Sequence, residues 1–279
     1  SGLNDKDIEK TAQILGIKNL DDVNKIKVDS EDLYKYLKEG GSDAGMISSL
    51  YIVKGKKDSG LQITITSKEN ITEVTAEEYT NAAITAGIKD AQVYVGAYRP
   101  VTGTSALTGI YKSFELNGEK LDEKRVDLAN EELETVNAIV REHKDQEDFD
   151  SSRLNKVVAD VKESLIDYNK ENKDKATEEK IRDIIVNASN KYEINNIITQ
   201  NNINNLVVYF KNFQNSPAIN SEELQNQLKK FGEDLSKKLG DFMNSDQVKE
   251  GVEKAKDGLK DGIEKAKDYA NSEEAKGLF

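Results

Sequence analysis

Alternating apolar and polar residues, the mark of a half-buried strand, occur only in the first 117 residues. In LQITITS, Leu61, Ile63 and Ile65 fall on one face and Gln62, Thr64 and Thr66 on the other, so one side is buried and one is wet. Ser48 to Lys54 and Ala91 to Ala97 read as strands as well, and Val23 to Val28 as a shorter one. The GKKDSG segment between the Ser48 and Leu61 runs has the Gly and Asp of a hairpin turn. Helical spacing separates these strands. Asp5 to Leu15 stops at Gly16, and Ser30 caps Glu31 to Lys38, which ends at Gly40-Gly41. Thr75 with Glu78 forms a capping box that opens a helix through Ala86, closed by Gly87, and Thr104 to Phe114 is another helix. The expected fold class is α+β: a two-layer α/β sandwich with a small mixed sheet, followed by an all-α helical domain.

From Asn117 onward every apolar repeat is helical. Five helices are predicted over Glu119–Lys144, Ser152–Asn169, Thr177–Ile198, Asn201–Phe213 and Ser221–Phe242. Thr177 and Ser221, each followed by two Glu, mark helix starts, because acids favour the positive end of the helix dipole. Polar runs such as DQEDFDSS and QNSPAINS connect them. The expected division is an α+β domain over 1–117, a helical bundle over 118–246, and an amphipathic C-terminal helix over 247–279.

Composition narrows the function classes. With 33% charged residues and a net charge of −12, the chain has no basic face to displace counterions from nucleic acid. Simple electrostatic docking on anionic lipid is disfavoured for the same reason. No Cys is present, which removes disulfides, thiolate metal sites and Cys nucleophiles, and no apolar run reaches the ~20 residues of a membrane span. The opening Ser1-Gly2, without Met, reads as a scar left by removal of a preceding segment, expected to be a signal sequence.

Two longer runs carry a family resemblance. YTNAAITAGIKDAQVYV, Tyr79 to Val95, and PVTGTSALTGIYKSFE, Pro100 to Glu115, resemble the signature of domain of unknown function 1002, found mainly in Gram-positive bacteria. ILGI near Ile14 and ISSLYI near Ser48 fit the same pattern. The resemblance implies an exported protein with no assigned activity and no catalytic residues to carry over.

The loop Arg99 to Gly109 joins a strand to a helix, a common place for a ligand. Arg99, Thr102, Gly103, Thr104, Ser105 and Thr108 are the candidate ligand-binding residues, with the helix start offering amides to an anion. It is neither a P-loop nor a nucleophile elbow, and plain capping with close packing of small residues accounts for it more simply. His143, the single histidine, lies in the charged run REHKDQED and reads as a solvated partner of a helix C-terminus rather than a general base. DYNKENKDKATE, Asp167 to Glu178, has some calcium-loop spacing but Asn172 where a Gly is needed, so it reads as a polar connector. No catalytic residue, metal or cofactor is implied.

The C-terminal run repeats itself: GVEKAKD at Gly251–Asp257 returns as GIEKAKD at Gly262–Asp268. At about 100° per residue, Val248, Val252, Leu259 and Ile263 form a narrow apolar stripe, with lysines on its shoulders and acids opposite. This is the candidate membrane or partner contact. Three glycines and few large side chains leave the helix weak, so packing on its own bundle or on a second copy fits better than lipid or a foreign helix. The functional expectation is an exported, non-enzymatic cell-envelope or binding protein. The alternatives are an envelope enzyme that uses the Arg99–Gly109 loop for substrate or anion, and lipid-surface association through the C-terminal helix.

Overall fold

The computed structural model describes residues 2–240. The protein is α+β. Helix α1 (Asp5–Ile14) and α2 (Ser30–Leu37) precede strands β1 (Ser49–Lys54) and β2 (Leu61–Ile65). Then come α3 (Ala76–Ala86), β3 (Ala91–Gly96) and α4 (Ala106–Leu116). The remainder is helical: α5 (Glu123–His143), α6 (Ser151–Asn172), α7 (Glu178–Lys191), α8 (Gln200–Asn215) and α9 (Glu222–Leu239). The sixth expected helix, over the eleven-residue repeat, lies outside the described residues.

The three strands run in the order β1-β3-β2, with β3 antiparallel to β1 and parallel to β2. The expected hairpin is therefore absent, although both of its strands are present. β3 enters between β1 and β2, and the connector spans two strand spacings, roughly 9–10 Å. Asp90, at the start of β3, holds that connector. Its carboxylate accepts from Asp58 N–H at 3.1 Å and Gly60 N–H at 2.9 Å, and its carbonyl accepts from Gly55 N–H at 2.6 Å. The turn chemistry of GKKDSG is real, but it serves a crossing over an inserted strand.

Side-chain alternation follows the reading of LQITITS. Leu61, Ile63, Val93 and Val95 point into the core, while Gln62, Thr64 and Gln92 are exposed. On the open face Tyr51 stacks on Tyr94, its cross-strand partner, with ring centroids 6.0 Å apart.

Val23–Val28 forms no strand. It follows a 3-10 turn at Leu20–Asp22 and runs beside α4, where the Lys27 carbonyl accepts from Lys112 Nζ at 2.9 Å. Val23 itself is extended, with φ −125° and ψ 143°, but the segment joins no sheet among the described residues. The segment expected as one helix over Thr177–Ile198 also differs. α7 ends at Lys191, and Glu193 turns left-handed with φ 55°. Ile194 N–H then bonds back to the Ser189 carbonyl, and Tyr192 and Ile194 are both fully buried. Likewise α2 stops at Lys38 in the left-handed conformation, before the glycine pair, and its N-cap is Asp29.

α3 is the centre of the molecule. Its capping box, Thr75 with Glu78, forms as the sequence indicates, and Gly87 closes it with φ 98°. Nine consecutive residues from Glu78 to Ala86 are buried, so this helix has no solvent face. One side covers β2, and the others pack on α5, α6 and α9. A single cluster of buried apolar side chains continues from the sheet through α3 into the later helices.

Candidate functional site

The Arg99–Gly109 loop is stitched to the segment before α3. Val101 N–H bonds the Asn70 carbonyl at 2.8 Å, Thr72 N–H bonds the Val101 carbonyl at 2.9 Å, and Asn70 Nδ2 reaches the Ala97 carbonyl at 2.8 Å. Gly103, with φ 97°, turns its carbonyl to the buried Tyr79 hydroxyl, which donates to it. A β-carbon there would sit 2.5 Å from Tyr79 Oη and 2.7 Å from Ile71 Cγ2, so glycine is required by a close approach. The remaining polar groups largely face one another. The Thr102 and Thr104 hydroxyls are 3.3 Å apart, and Ser105 Oγ pairs with Ser48 Oγ at 2.9 Å. Ala106 N–H already bonds the Gly103 carbonyl at 2.9 Å. Arg99 is exposed, its guanidinium 5.5 Å from the Tyr98 ring. Thr108 is fully buried, and its hydroxyl has no partner among the described residues. Of the six candidates, Thr104 lines the cleft that α5 forms with the end of α2.

That cavity is a cleft of about 450 Å³ between the end of α2, the approach to α3, and one face of α5. Leu37 and Leu133 supply apolar wall, and Asn130 and Asn137 supply amides. Five carboxylates line it, from Glu39, Glu73, Asp127, Glu131 and Glu134, against the two cations Lys38 and Arg141. Both cations are committed: Lys38 to Glu123 at 3.1 Å, outside the cleft, and Arg141 to Glu73 at 3.4 Å. Helix geometry explains the stripe. Asp127, Glu131 and Glu134 are spaced four and three residues apart, so they share one face of α5. Partial burial raises the Glu131 carboxyl; a hydrogen bond from Asn212 opposes that, and the Glu134 charge adds to it. The Glu39 carboxyl is raised by the same two causes, shielding first and Glu134 second. None of these cleft residues except Thr104 was singled out from sequence. The signal was present as like charges at helical spacing, inside a segment dense enough in charge to read as a solvated face.

A second polar cluster is sealed inside. Lys162 of α6 and Glu132 of α5 pair with side-chain exposures of 0% and 1%. Lys162 also donates to Thr85 Oγ1 at 2.8 Å, and Tyr209 of α8 donates to Glu132 at 2.7 Å. Beside them Asn81 Nδ2 bonds Asn155 Oδ1 at 2.9 Å. Burial lowers the Lys162 ammonium from its ordinary value, against the pull of the Glu132 charge. With no opening to solvent, this network fastens helices rather than meeting a ligand.

His143 ends α5 as expected, but it is buried rather than solvated. The turn after α5 folds Gln146 and Phe149 over it, and the start of α8 closes the other side. Its Nε2 lies 2.8 Å from Asn202 Oδ1 and its Nδ1 2.9 Å from Gln146 Nε2. Asn202 also caps α8 through its capping box with Thr199, so the ring joins two helix ends. Asp167–Asn172 belongs to the last turns of α6, leaving a shorter connector before α7 than the polar run suggests. The stripe residues Val248, Val252, Leu259 and Ile263 lie outside the described residues. Among the described residues no helix is long and apolar enough to cross a membrane.

Known proteins locate the chain without assigning it an activity. It is 41% identical over 114 residues to the uncharacterized protein YpuA of Bacillus subtilis (strain 168). That match covers 40% of this chain and 38% of the relative. No solved structure matches it significantly. The profile described as "Protein of unknown function (DUF1002)" matches residues 1–231. The Tyr79–Val95 run is α3 with β3, and the Pro100–Glu115 run is the loop that Tyr79 anchors, together with most of α4. From these core-forming runs out to residue 231, the chain belongs to the DUF1002 family of proteins of unknown function.

Proposed function

We propose that this is an exported, non-enzymatic binding protein of the cell envelope, and that its ligand occupies the α2–α5 cleft. The observation that carries the reading is the cleft itself. Its volume of about 450 Å³ is in the range of small-molecule sites, and it combines apolar wall with convergent polar groups. Leu37 and Leu133 give contact area, while Asn130, Asn137 and Thr104 give directional bonds. The cleft is built on helix ends held by caps and by the long α5, so it needs little ordering on binding. Export rests on the family resemblance of its core runs, since a chain without Cys is compatible with the cytosol and with export alike.

The test is a thermal-shift and NMR screen of the full chain against a small-molecule library, repeated with Glu134→Trp. Glu134 is exposed on α5, so an indole there fills the cleft without entering the core. A ligand that raises Tm and loses its effect in the variant supports the reading. Ligands that bind both chains alike would move the site elsewhere. Cell fractionation tests export separately, and recovery of the native protein with the cytosol would reject that part.

A further inference from the structure

Asn117 and Gly118 close α4 and form the one Asn-Gly step in the sequence. Both are exposed, and a β-carbon on Gly118 would meet nothing within 4 Å. An asparagine amide can be attacked by the backbone nitrogen that follows it, and glycine hinders that attack least because it has no side chain. Here hydrogen bonds hold both reacting groups. Asn117 Nδ2, the leaving nitrogen, donates to the Ser113 carbonyl at 2.7 Å. Gly118 N–H, the nucleophile, donates to the Glu115 carbonyl at 3.0 Å. Glu119 N–H bonds the Phe114 carbonyl at 3.1 Å and Gly118 turns left-handed with φ 90°, so the end of α4 is a closed Schellman cap. Asn117 has ψ 12°, whereas ring closure needs its β-carbon and the Gly118 nitrogen eclipsed about the Cα–C bond. Reaction therefore requires the cap to open.

We propose that Asn117 is a site of spontaneous deamidation gated by the α4 cap. Once the cap opens, the Gly118 nitrogen gives its proton to solvent base and bonds Asn117 Cγ, and Nδ2 leaves as ammonia. The five-membered imide then takes up one water. Breaking the Cγ–N bond leaves aspartate; breaking the backbone C–N bond leaves isoaspartate, in which the chain runs through Cβ and Cγ. Nothing is oxidised or reduced. Either product sets a carboxylate at the negative end of α4 and gives up the Nδ2 bond to Ser113. The new charge falls between Glu115 and Glu119, which tie this end to Lys35 of α2 at 2.6 Å and to Lys54 of β1 at 3.4 Å. The modification loosens that joint irreversibly, as the protein ages.

Peptide mapping by mass spectrometry tests this, on the full chain aged at mildly alkaline pH beside the free peptide Ser113–Lys120. Among the asparagines of residues 2–240, Asn117 should convert first. It should do so about tenfold or more slowly than in the peptide, and at the peptide rate in guanidinium chloride. Glu119→Pro removes the cap bond to the Phe114 carbonyl but keeps both reacting groups, so it should speed conversion in the folded chain. Conversion of the folded chain at the peptide rate, or no gain in Glu119→Pro, would overturn the gating. Failure to convert in guanidinium chloride, or earlier conversion of another of those asparagines, would overturn the site. Asn117→Asp, the product made in advance, should lower Tm by about 2–4 °C, and an unchanged Tm would overturn the loosening.

Discussion

Gly103 and Thr108 sit five residues apart and are placed by opposite pressures. Gly103 is left-handed and pressed against Tyr79 Oη and Ile71, so Gly103→Ala should cost at least about 2 kcal/mol in urea unfolding. Thr108 buries a hydroxyl with no partner among the described residues, a deficit that an apolar isostere removes. Thr108→Val should therefore hold stability level or add up to about 1 kcal/mol, read as a Tm rise of about 2–4 °C. A fall in Tm would mean that the hydroxyl is bonded in solution. At this scale the sequence is legible where chemistry is local. Thr75 and Glu78 cap each other across three residues, and a capping box needs nothing more. Glu193 was not legible, because its left-handed turn exists only to bury Tyr192 and Ile194, and no glycine marks it.

The same contrast appears between elements. The strands were readable from alternation, but their pairing was not, since a turn sequence cannot report a third strand arriving from thirty residues away. Asp90 makes that arrangement hold. Burial pushes its carboxyl upward, but hydrogen bonds from the Gly60 and Asp58 N–H groups outweigh it and set the group below the ordinary Asp range. A carboxyl lowered on folding stabilises fully above the unfolded value near pH 4 and loses that contribution as pH falls through its folded value. Asp90→Ala should accordingly cost about 1–3 kcal/mol at neutral pH, with the gap from the parent closing below about pH 4 in acid titrations of stability. A constant gap across that range would assign the loss to packing instead. In α5 the cleft acids were visible as a spacing, but only the fold shows that their face meets Leu37 and Thr104 rather than open water.

Over the whole molecule, the helical second half was evident from periodicity because amphipathic stripes need only a core to face. The Lys162–Glu132 pair was invisible, since a lysine within VVADVKESL reads as a surface residue. Removing one charge alone leaves the other buried and unmatched, so Glu132→Leu should destabilise by about 3–5 kcal/mol. Lys162→Met combined with Glu132→Leu should cost less than the two single changes together, as a double-mutant cycle in urea would read. Strict additivity would deny the coupling.

The placement of α3 also has a consequence for the order in which the chain can fold. It is the crossover that lets β2 and β3 pair in parallel, yet apart from a contact with α4 its other sides are covered by helices that begin after residue 122. The sheet therefore cannot mature in isolation. Closing this long-range pairing has to wait for α5 and α6 to dock, which places the barrier late and makes refolding slow for so helical a chain. A fragment ended at residue 117 would expose Ala82, Ala83 and Asn81 to water and should gain no protected β3 amides in hydrogen exchange until α5 and α6 are restored.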